Sequence, residues 1–293
     1  MLVSVAVNTA LALAKVLGGI FGHSHALIAD GIESTLDILT SALLWGAIKY
    51  SEKPPDKDHP YGHGKMESLA AVGGSLMLIA AGLAFGVHSV SGLIHLSSAP
   101  TSEPLPAVYT LVIVGVTIAT KEFLFRWLFR RGQEIGSKAV MTDAWHHRSD
   151  AMTSLAALVG ISAALLGGPN WAQADEWAAL FSCGLIVFNG LQMLRNAAGD
   201  VLDEQASSEL TTNILAKVSE VAGVTSMEKC RVRRSGLMYI ADLHVRVQGN
   251  RTVREGHEIA HNVKDKLLAA DFQLSDVTVH IEPEDGTDVC RLR

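Results

Sequence analysis

Residues 26–48 read ALIADGIESTLDILTSALLWGAI, an apolar run that nevertheless contains Asp30, Glu33 and Asp37. A membrane-spanning helix needs about 20 mostly apolar residues, because the hydrocarbon core is roughly 30 Å thick and a helix rises about 1.5 Å per residue. An ionisable side chain at that depth is costly and is a functional candidate by default. The stretch therefore predicts a membrane helix with a functional polar face.

Five further apolar stretches have a similar length. The chain of 293 residues is 48% hydrophobic and only 18% charged, whereas soluble domains average roughly 25% charged residues. We place six membrane-spanning helices near Leu2–Phe21, Ala26–Ile48, Leu69–Leu96, Val108–Leu128, Ala139–Leu166 and Trp177–Leu194. The first lacks the basic region and the clear small-residue cleavage site of a signal peptide, so we expect it to be retained.

The connections between these stretches predict the orientation of the chain. Basic residues follow the second and fourth spans and are absent from the other three connections; they are Lys49, Lys53, Lys57 and Lys65, then Arg126, Arg130, Arg131 and Lys138. Lys and Arg are retained on the cytoplasmic side of a membrane. We therefore predict a multi-pass protein of the inner (plasma) membrane with both termini in the cytoplasm.

The character of the chain changes after Asp203, since twelve of its 24 Lys and Arg residues lie in residues 203–293. The pattern there predicts, in order, a helix, two strands, a helix and a strand: Ser207–Val221, Ser226–Arg234, Tyr239–Val247, Val253–Ala269 and Asp276–Ile281. We thus expect a six-helix transmembrane domain in residues 1–202 and a cytoplasmic α+β domain with the ferredoxin-like order αββαβ in residues 203–293. A core this small favours dimerisation.

The fifth span repeats the polar pattern of the second. Both read D-x-x-(E/H)-x-x-x-D, 113 residues apart, with Asp30, Glu33 and Asp37 in one and Asp143, His146 and Asp150 in the other. Residues three and four apart share a helix face, so each span presents a polar stripe. If the stripes face each other, the chain offers a metal site of three carboxylates and one imidazole, namely Glu33, Asp37, His146 and Asp150.

Such a donor set suits zinc, ferrous iron, manganese or cobalt without thiolates. The alternative is that the carboxylates pair with Lys15, Lys121 or Arg148, or line a wet cavity. Three basic groups cannot neutralise the five acids, which favours the metal site.

Three segments together resemble the cation diffusion facilitator family over nearly the entire chain: SHALIADGIESTLD (residues 24–37), DHPYGHGKME (58–67) and DAWHHRSD (143–150). Within that family the chain is similar to the YiiP-like branch of bacterial zinc and iron exporters, which implies a homodimer that exchanges metal for protons. The family's transport-site positions fall on Glu33, Asp37, His146 and Asp150. Glu33 departs from the more usual His or Asp and adds a hard oxygen.

Two further metal sites are implied by the resemblance. Asp56, His59 and His63 have the spacing D-x-x-H-x-x-x-H of the family's second site, although a solvated loop with two unrelated histidines remains the alternative. The ligands of the family's cytoplasmic cluster match Glu228, His244, His257, His280 and Glu282. Glu228 stands where that cluster can hold a histidine, which leaves a two-metal arrangement open.

The sequence thus predicts a secondary active transporter rather than an enzyme. It would export divalent metal, with zinc first and iron, manganese, cobalt or cadmium as alternatives, and metal would also serve as a structural or regulatory ligand. No organic cofactor is expected, and the missing GxxxxGK(S/T) motif argues against ATP-driven pumping. The expected partners are a second copy, the lipid bilayer, metal ions and protons, and the net charge of -6 disfavours nucleic acid. An intramembrane metalloenzyme and a metal sensor remain as alternatives.

Overall fold

A computed structural model describes residues 2–98, 105–134 and 138–284, with the side chains of residues 2–6, 95–98, 132, 138–140, 142, 143, 146, 169 and 170 outside the description. Six long helices occupy the predicted spans: α1 (Leu2–Phe21), α2 (His25–Ser51), α3 (Lys65–Ser98), α4 (Val108–Glu134), α5 (Lys138–Gly167) and α6 (Gln173–Val201). Several extend beyond the apolar runs that predicted them, because helical hydrogen bonding continues through flanking polar residues. A short 3₁₀ turn at Gly168–Trp171 separates α5 from α6.

The helical part is that of a membrane protein. Four stretches within α3 to α6 are long and apolar enough to cross a bilayer by length and composition: Lys65–Ile94, Val108–Arg131, His147–Gly167 and Gln173–Val201. The described apolar part of α1, Val7–Phe21, is shorter. Helix α2 carries Asp30, Glu33 and Asp37 in its first half, which lowers its hydropathy. A total of six spans therefore stays a prediction.

The chain divides into two compact units that alternate along the sequence. The first comprises Met1–Leu43 and Ala71–Leu194, and the second comprises Leu44–Ala70 and Arg195–Arg293. In the first unit, side chains from α2, α4, α5 and α6 form a buried apolar cluster that includes Leu27, Val114, Ile161 and Ala179. Buried alanines line this cluster, and Asp30 and Glu33 of α2 are buried in the same bundle.

The second unit contains a small mixed sheet. Its elements after α6 are α7 (Ser208–Ser219), β1 (Ser226–Ser235), β2 (Met238–Gln248), α8 (Val253–Leu268) and β3 (Leu274–Glu284), in the order that the sequence predicts. Strand β2 lies in the centre, antiparallel to β1 and parallel to β3.

Helices α7 and α8 pack against this sheet through an apolar core that includes Ile214, Leu243 and Val263. Helix α8 begins with a capping box between Thr252 and Glu255, which satisfies free N–H groups of its first turn.

Candidate metal centres

The membrane part holds a cluster of buried carboxylates on α2 and α5. Glu33 and Asp150 are each only 7% exposed, and Asp37 is half-buried. Glu33 interacts electrostatically with Asp37, Asp150 and Asp30. Among the described residues, Asp37 and Asp150 therefore lie close enough to Glu33 to repel it, but the ligand atoms of the three residues do not all lie within 4.8 Å of one another. The side chain of His146, the fourth predicted ligand, lies outside the description.

One oxygen of this cluster stands out. Glu33 Oε2 is buried and has no hydrogen-bond partner among the described residues. A carboxylate oxygen that is buried gives up its hydrogen bonds to water. When no donor in the protein replaces them, the loss destabilises the folded state. Several carboxylates close together in an apolar bundle also repel one another. The cluster is therefore suited to a cation that supplies positive charge at this position.

Two buried lysines pair with the outer members of the cluster. Lys15 Nζ on α1 lies 2.9 Å from Asp30 Oδ1 and also donates to Ser34. Lys121 Nζ on α4 donates to Asp150 Oδ2 at 2.7 Å. The alternative of lysine pairing is therefore realised for Asp30 and Asp150. Arg148 lies instead over the rings of Phe125 and Trp145, 4.8 and 5.4 Å from their centroids.

A second cluster lies in the connection between α2 and α3. Asp56 Oδ1 is 3.2 Å from His59 Nδ1, and Asp56 Oδ2 is 3.3 Å from His63 Nε2. Their ligand atoms all lie within 4.8 Å of one another. His63 is buried and has an Nδ1 without a hydrogen-bond partner among the described residues. Gly62, with φ of 81°, allows the turn that returns His63 towards Asp56.

The carboxylate of this loop cluster is held in its ionised form. The backbone N–H of His59 donates to Asp56 Oδ1 at 2.7 Å, and that of Asp58 donates at 3.0 Å. These donors, led by the backbone N–H of His59, hold the pKa of Asp56 below its usual value. Asp56 is therefore available as a charged ligand at neutral pH.

A third cluster lies on the sheet, where the parallel register pairs His244 of β2 with His280 of β3. His244 Nδ1 is 2.6 Å from Glu282 Oε1, and His280 Nε2 is 3.7 Å from the same oxygen. The ligand atoms of these three residues lie within 4.8 Å of one another. The pKa of Glu282 is lowered first by the hydrogen bond that a protonated Glu228 donates to it, and then by the hydrogen bond and charge of His244.

The two other predicted ligands of the tail, Glu228 and His257, are not part of this trio. Glu228 contacts Glu282 and also accepts from Arg246 at 3.1 Å. His257 packs on His261 one helical turn away, with ring centroids 4.5 Å apart. Among the described residues, the structure groups His244, His280 and Glu282, and it does not include His257 in that group.

Two family models together match most of the chain. A family model described as the cation efflux transmembrane domain matches residues 1–202, and one described as the cation efflux protein cytoplasmic domain matches residues 206–284. The chain belongs to the cation diffusion facilitator family. It is therefore a cation efflux transporter and not a member of an enzyme class.

The similar proteins of this family include bacterial and plant members. The cation-efflux pump FieF of Klebsiella pneumoniae is 31% identical over 95% of this chain and 90% of its own length. The manganese efflux system protein MneP of Bacillus subtilis is 27% identical over 96% of this chain and 94% of its own length. Metal tolerance protein C1 of Arabidopsis thaliana is 34% identical over 93% of this chain, which spans 59% of that plant protein.

Among solved structures, a nickel form of the MamM CTD is similar. The alignment has 22% sequence identity and a TM-score of 0.26, and it includes 27% of this chain and 100% of the MamM chain.

Within the second unit of this cation diffusion facilitator, the loop that carries Asp56, His59 and His63 contacts the sheet. Gly64, next to His63, lies so close to the β1–β2 hairpin that an added Cβ would be 2.5 Å from Ser235 Oγ. Lys65 Nζ is 2.6 Å from Asp203 Oδ1, and Arg234 donates to Glu67 at 3.1 Å. The loop and the hairpin are therefore in direct contact. Sequence reasoning missed this contact because no spacing rule relates Gly64 to residues that lie so far along the chain.

Proposed function

We propose that this chain exports a divalent transition-metal cation from the cytoplasm in exchange for protons. The proposed transport site comprises Glu33, Asp37, His146 and Asp150. The buried, unpartnered Glu33 Oε2 beside two further acidic ligands, inside the helices of a cation efflux protein, is the observation that carries this proposal. Three carboxylates and one imidazole can surround a metal ion tetrahedrally.

Exchange for protons follows from the chemistry of these ligands. A carboxylate or imidazole must lose its proton before it can bind metal, so metal and protons compete for the same atoms. On the near-neutral cytoplasmic side the site would take metal, and on a more acidic exterior it would release metal and take protons. Alternation between the two sides would use the proton gradient to drive export.

An imposed pH gradient across proteoliposomes tests this exchange. With metal on the cytoplasmic face and a pH-sensitive dye reporting proton movement, metal flux should rise with the gradient, and protons should move in the opposite direction. Protein-free liposomes control for leakage. Equal metal flux with and without the gradient, and no proton counterflow, would make the protein a channel or uniporter.

We further propose that the chain spans the inner (plasma) membrane six times and has both termini in the cytoplasm. The bias of Lys and Arg towards the connections after α2 and α4 supports this orientation. The small domain of residues 206–284 would join two copies in a homodimer. Its modest core, which a second copy could enlarge, supports this assembly.

The identity of the metal depends on Glu33. Zinc is the first substrate to test, and manganese is the second, because a glutamate supplies a hard oxygen and the relative MneP is named as a manganese efflux protein. Replacing Glu33 with His should shift preference towards zinc and away from manganese by about tenfold, which corresponds to about 1.4 kcal/mol. Competition between the two ions in a proteoliposome flux assay measures the ratio. An unchanged ratio would show that Glu33 does not bind the metal.

The tail trio should bind metal in the isolated domain. A fragment from Ser207 to Arg293 is expected to fold, self-associate and gain thermal stability with zinc. The gain should be about 2.7 kcal/mol at a metal concentration 100 times the dissociation constant. Differential scanning calorimetry measures it. His244→Ala should abolish the gain, and His261→Ala, outside the trio, serves as the matched control. A monomeric fragment without metal-dependent stabilisation would contradict the proposal.

A further inference from the structure

Three helices of the first unit meet around a buried lysine. Lys15 of α1 donates from Nζ to Asp30 Oδ1 at 2.9 Å and to Ser34 Oγ at 3.0 Å, and both of these acceptors are on α2. The same ammonium group donates to Ser154 Oγ of α5 at 3.4 Å. These four residues, named the polar tetrad below, link α1, α2 and α5 through side-chain hydrogen bonds.

The polar tetrad is almost completely removed from solvent. Lys15 and Ser154 are 0% exposed, and Asp30 is 1% exposed. A buried charge is costly unless it is paired and hydrogen-bonded. An ammonium group has three N–H donors, and the tetrad offers one acceptor to each of them. The lysine is therefore satisfied, and its pair with Asp30 adds no net charge to the bundle.

The serine of α5 links the two helices that carry the proposed transport site. Ser154 Oγ lies 2.8 Å from Asp30 Oδ2 and 3.0 Å from Asp30 Oδ1. Its single proton therefore points at the Asp30 carboxylate, while its oxygen accepts from Lys15. Removing this hydroxyl group would separate α5 from both charged groups and leave the Lys15–Asp30 pair intact.

The polar tetrad lies about one helical turn from two of the proposed metal ligands. Asp30 precedes Glu33 by three residues on α2, and Ser154 follows Asp150 by four residues on α5. The Lys15 charge attracts Glu33, whereas the surrounding acids repel it. A shift of α2 against α5 at the tetrad would therefore change the spacing between Glu33 and Asp150.

We propose that Lys15, Asp30 and Ser154 are positioning residues for metal export, which fix α2 relative to α5 beside the metal ligands. They bind one another and not the exported ion. The proposal rests on the proposed function, because the ligands that they position are Glu33 and Asp150. A neutral, hydrogen-bonded link suits this role, since it ties the two helices together without competing for the cation.

Ser154→Ala tests the link with the smallest change. The metal then has to order α2 against α5 as it binds, at the expense of about one hydrogen bond to a charged group. The half-saturating zinc concentration for flux in proteoliposomes should rise by about tenfold, and the maximal rate should stay near that of the parent. Ser75→Ala is the matched control, since Ser75 is equally buried and donates to Val72 O of its own helix.

A second variant separates positioning from stability. Lys15→Met combined with Asp30→Leu replaces the ion pair with apolar side chains of similar volume, a change that is often neutral or stabilising at a buried site. The melting temperature of the full-length protein should therefore stay at or above that of the parent. The half-saturating zinc concentration should nevertheless rise, as in Ser154→Ala. A purely structural role would not raise it in a protein that is as stable as the parent.

Each outcome decides the question. A raised half-saturating concentration in both variants, with no change in Ser75→Ala, supports the proposal. A value like the parent's in either folded variant, or an equal rise in Ser75→Ala, overturns it, and Ser154→Ala alone decides if the double variant does not fold. Asp37→Ala is measured alongside. Normal export by Asp37→Ala would refute the proposed transport site, whereas its loss of export together with a parent-like Ser154→Ala would refute only the role of the polar tetrad.

Discussion

Replacing Asp37 or Asp150 with alanine is expected to reduce metal export to background. Both carboxylates act on Glu33 inside the helical unit. Removing one partner of a buried charge pair costs about 3–5 kcal/mol, and about 1.4 kcal/mol is tenfold in affinity, so flux at low metal concentration should fall roughly 100-fold or more. Initial rates in proteoliposomes at matched protein density measure the effect.

The control for this experiment lies one helical turn from Asp37. Thr40 is half-buried on the same helix, and within the part of the chain that the structure describes its Oγ1 donates only to backbone oxygens of its own turn, Leu36 O at 2.9 Å and Asp37 O at 3.1 Å. Thr40→Ala should therefore transport like the parent. Asp150→Asn separates charge from size and should lose flux as Asp150→Ala does. Near-normal flux in both alanine variants would refute the proposed transport site.

Replacing Lys121 with methionine is expected to tighten metal binding and to slow metal release. The Lys121 ammonium group is buried and occupies Asp150 Oδ2 at 2.7 Å. An arriving metal ion has to displace this ammonium group and then experiences its repulsion. Two unit charges 4 Å apart interact by about 4 kcal/mol at an effective dielectric constant of about 20. Part of this energy is offset by the cost of an unpaired Asp150.

We therefore expect the half-saturating metal concentration of Lys121→Met to fall by about tenfold, or about 1.4 kcal/mol. The maximal rate should fall as well, because the ion leaves more slowly. Arg126→Gln removes an exposed charge from the same helix, where Arg126 pairs with Glu122 at 2.7 Å, and should change neither quantity. If Lys121→Met weakens metal binding instead, the lysine only supports the structure of Asp150.

The positions of the proposed membrane ligands could be read from the sequence because charge is rare inside apolar helices. Glu33, Asp37 and Asp150 stand out by burial cost alone, and their spacing places them on one face of each helix. Their pairing was not predictable, since a lysine side chain is long and can reach several neighbours. Only the packing of α1 and α4 decides that Lys15 meets Asp30 and Lys121 meets Asp150.

In the sheet, too, the sequence predicts the elements but not the contacts between them. The alternating pattern predicts β2, but the register with β3, which pairs His244 with His280, depends on how α8 returns the chain. His257 shares a helix with His261, and spacing alone could not separate it from the trio. Helix α6 begins at Gln173, four residues before Trp177, where the apolar pattern placed the sixth span.

The alternation of the two units along the chain also constrains how the protein is made. The connection between α2 and α3 belongs to the unit whose remainder begins only at Arg195. Ribosomes add about 5–20 residues per second, so this connection waits several seconds for its packing partners after it has been synthesised. During that interval the loop histidines and Gly64 are open to chaperones, proteases and stray metal, and a nascent chain that stalls before Arg195 would leave them unprotected.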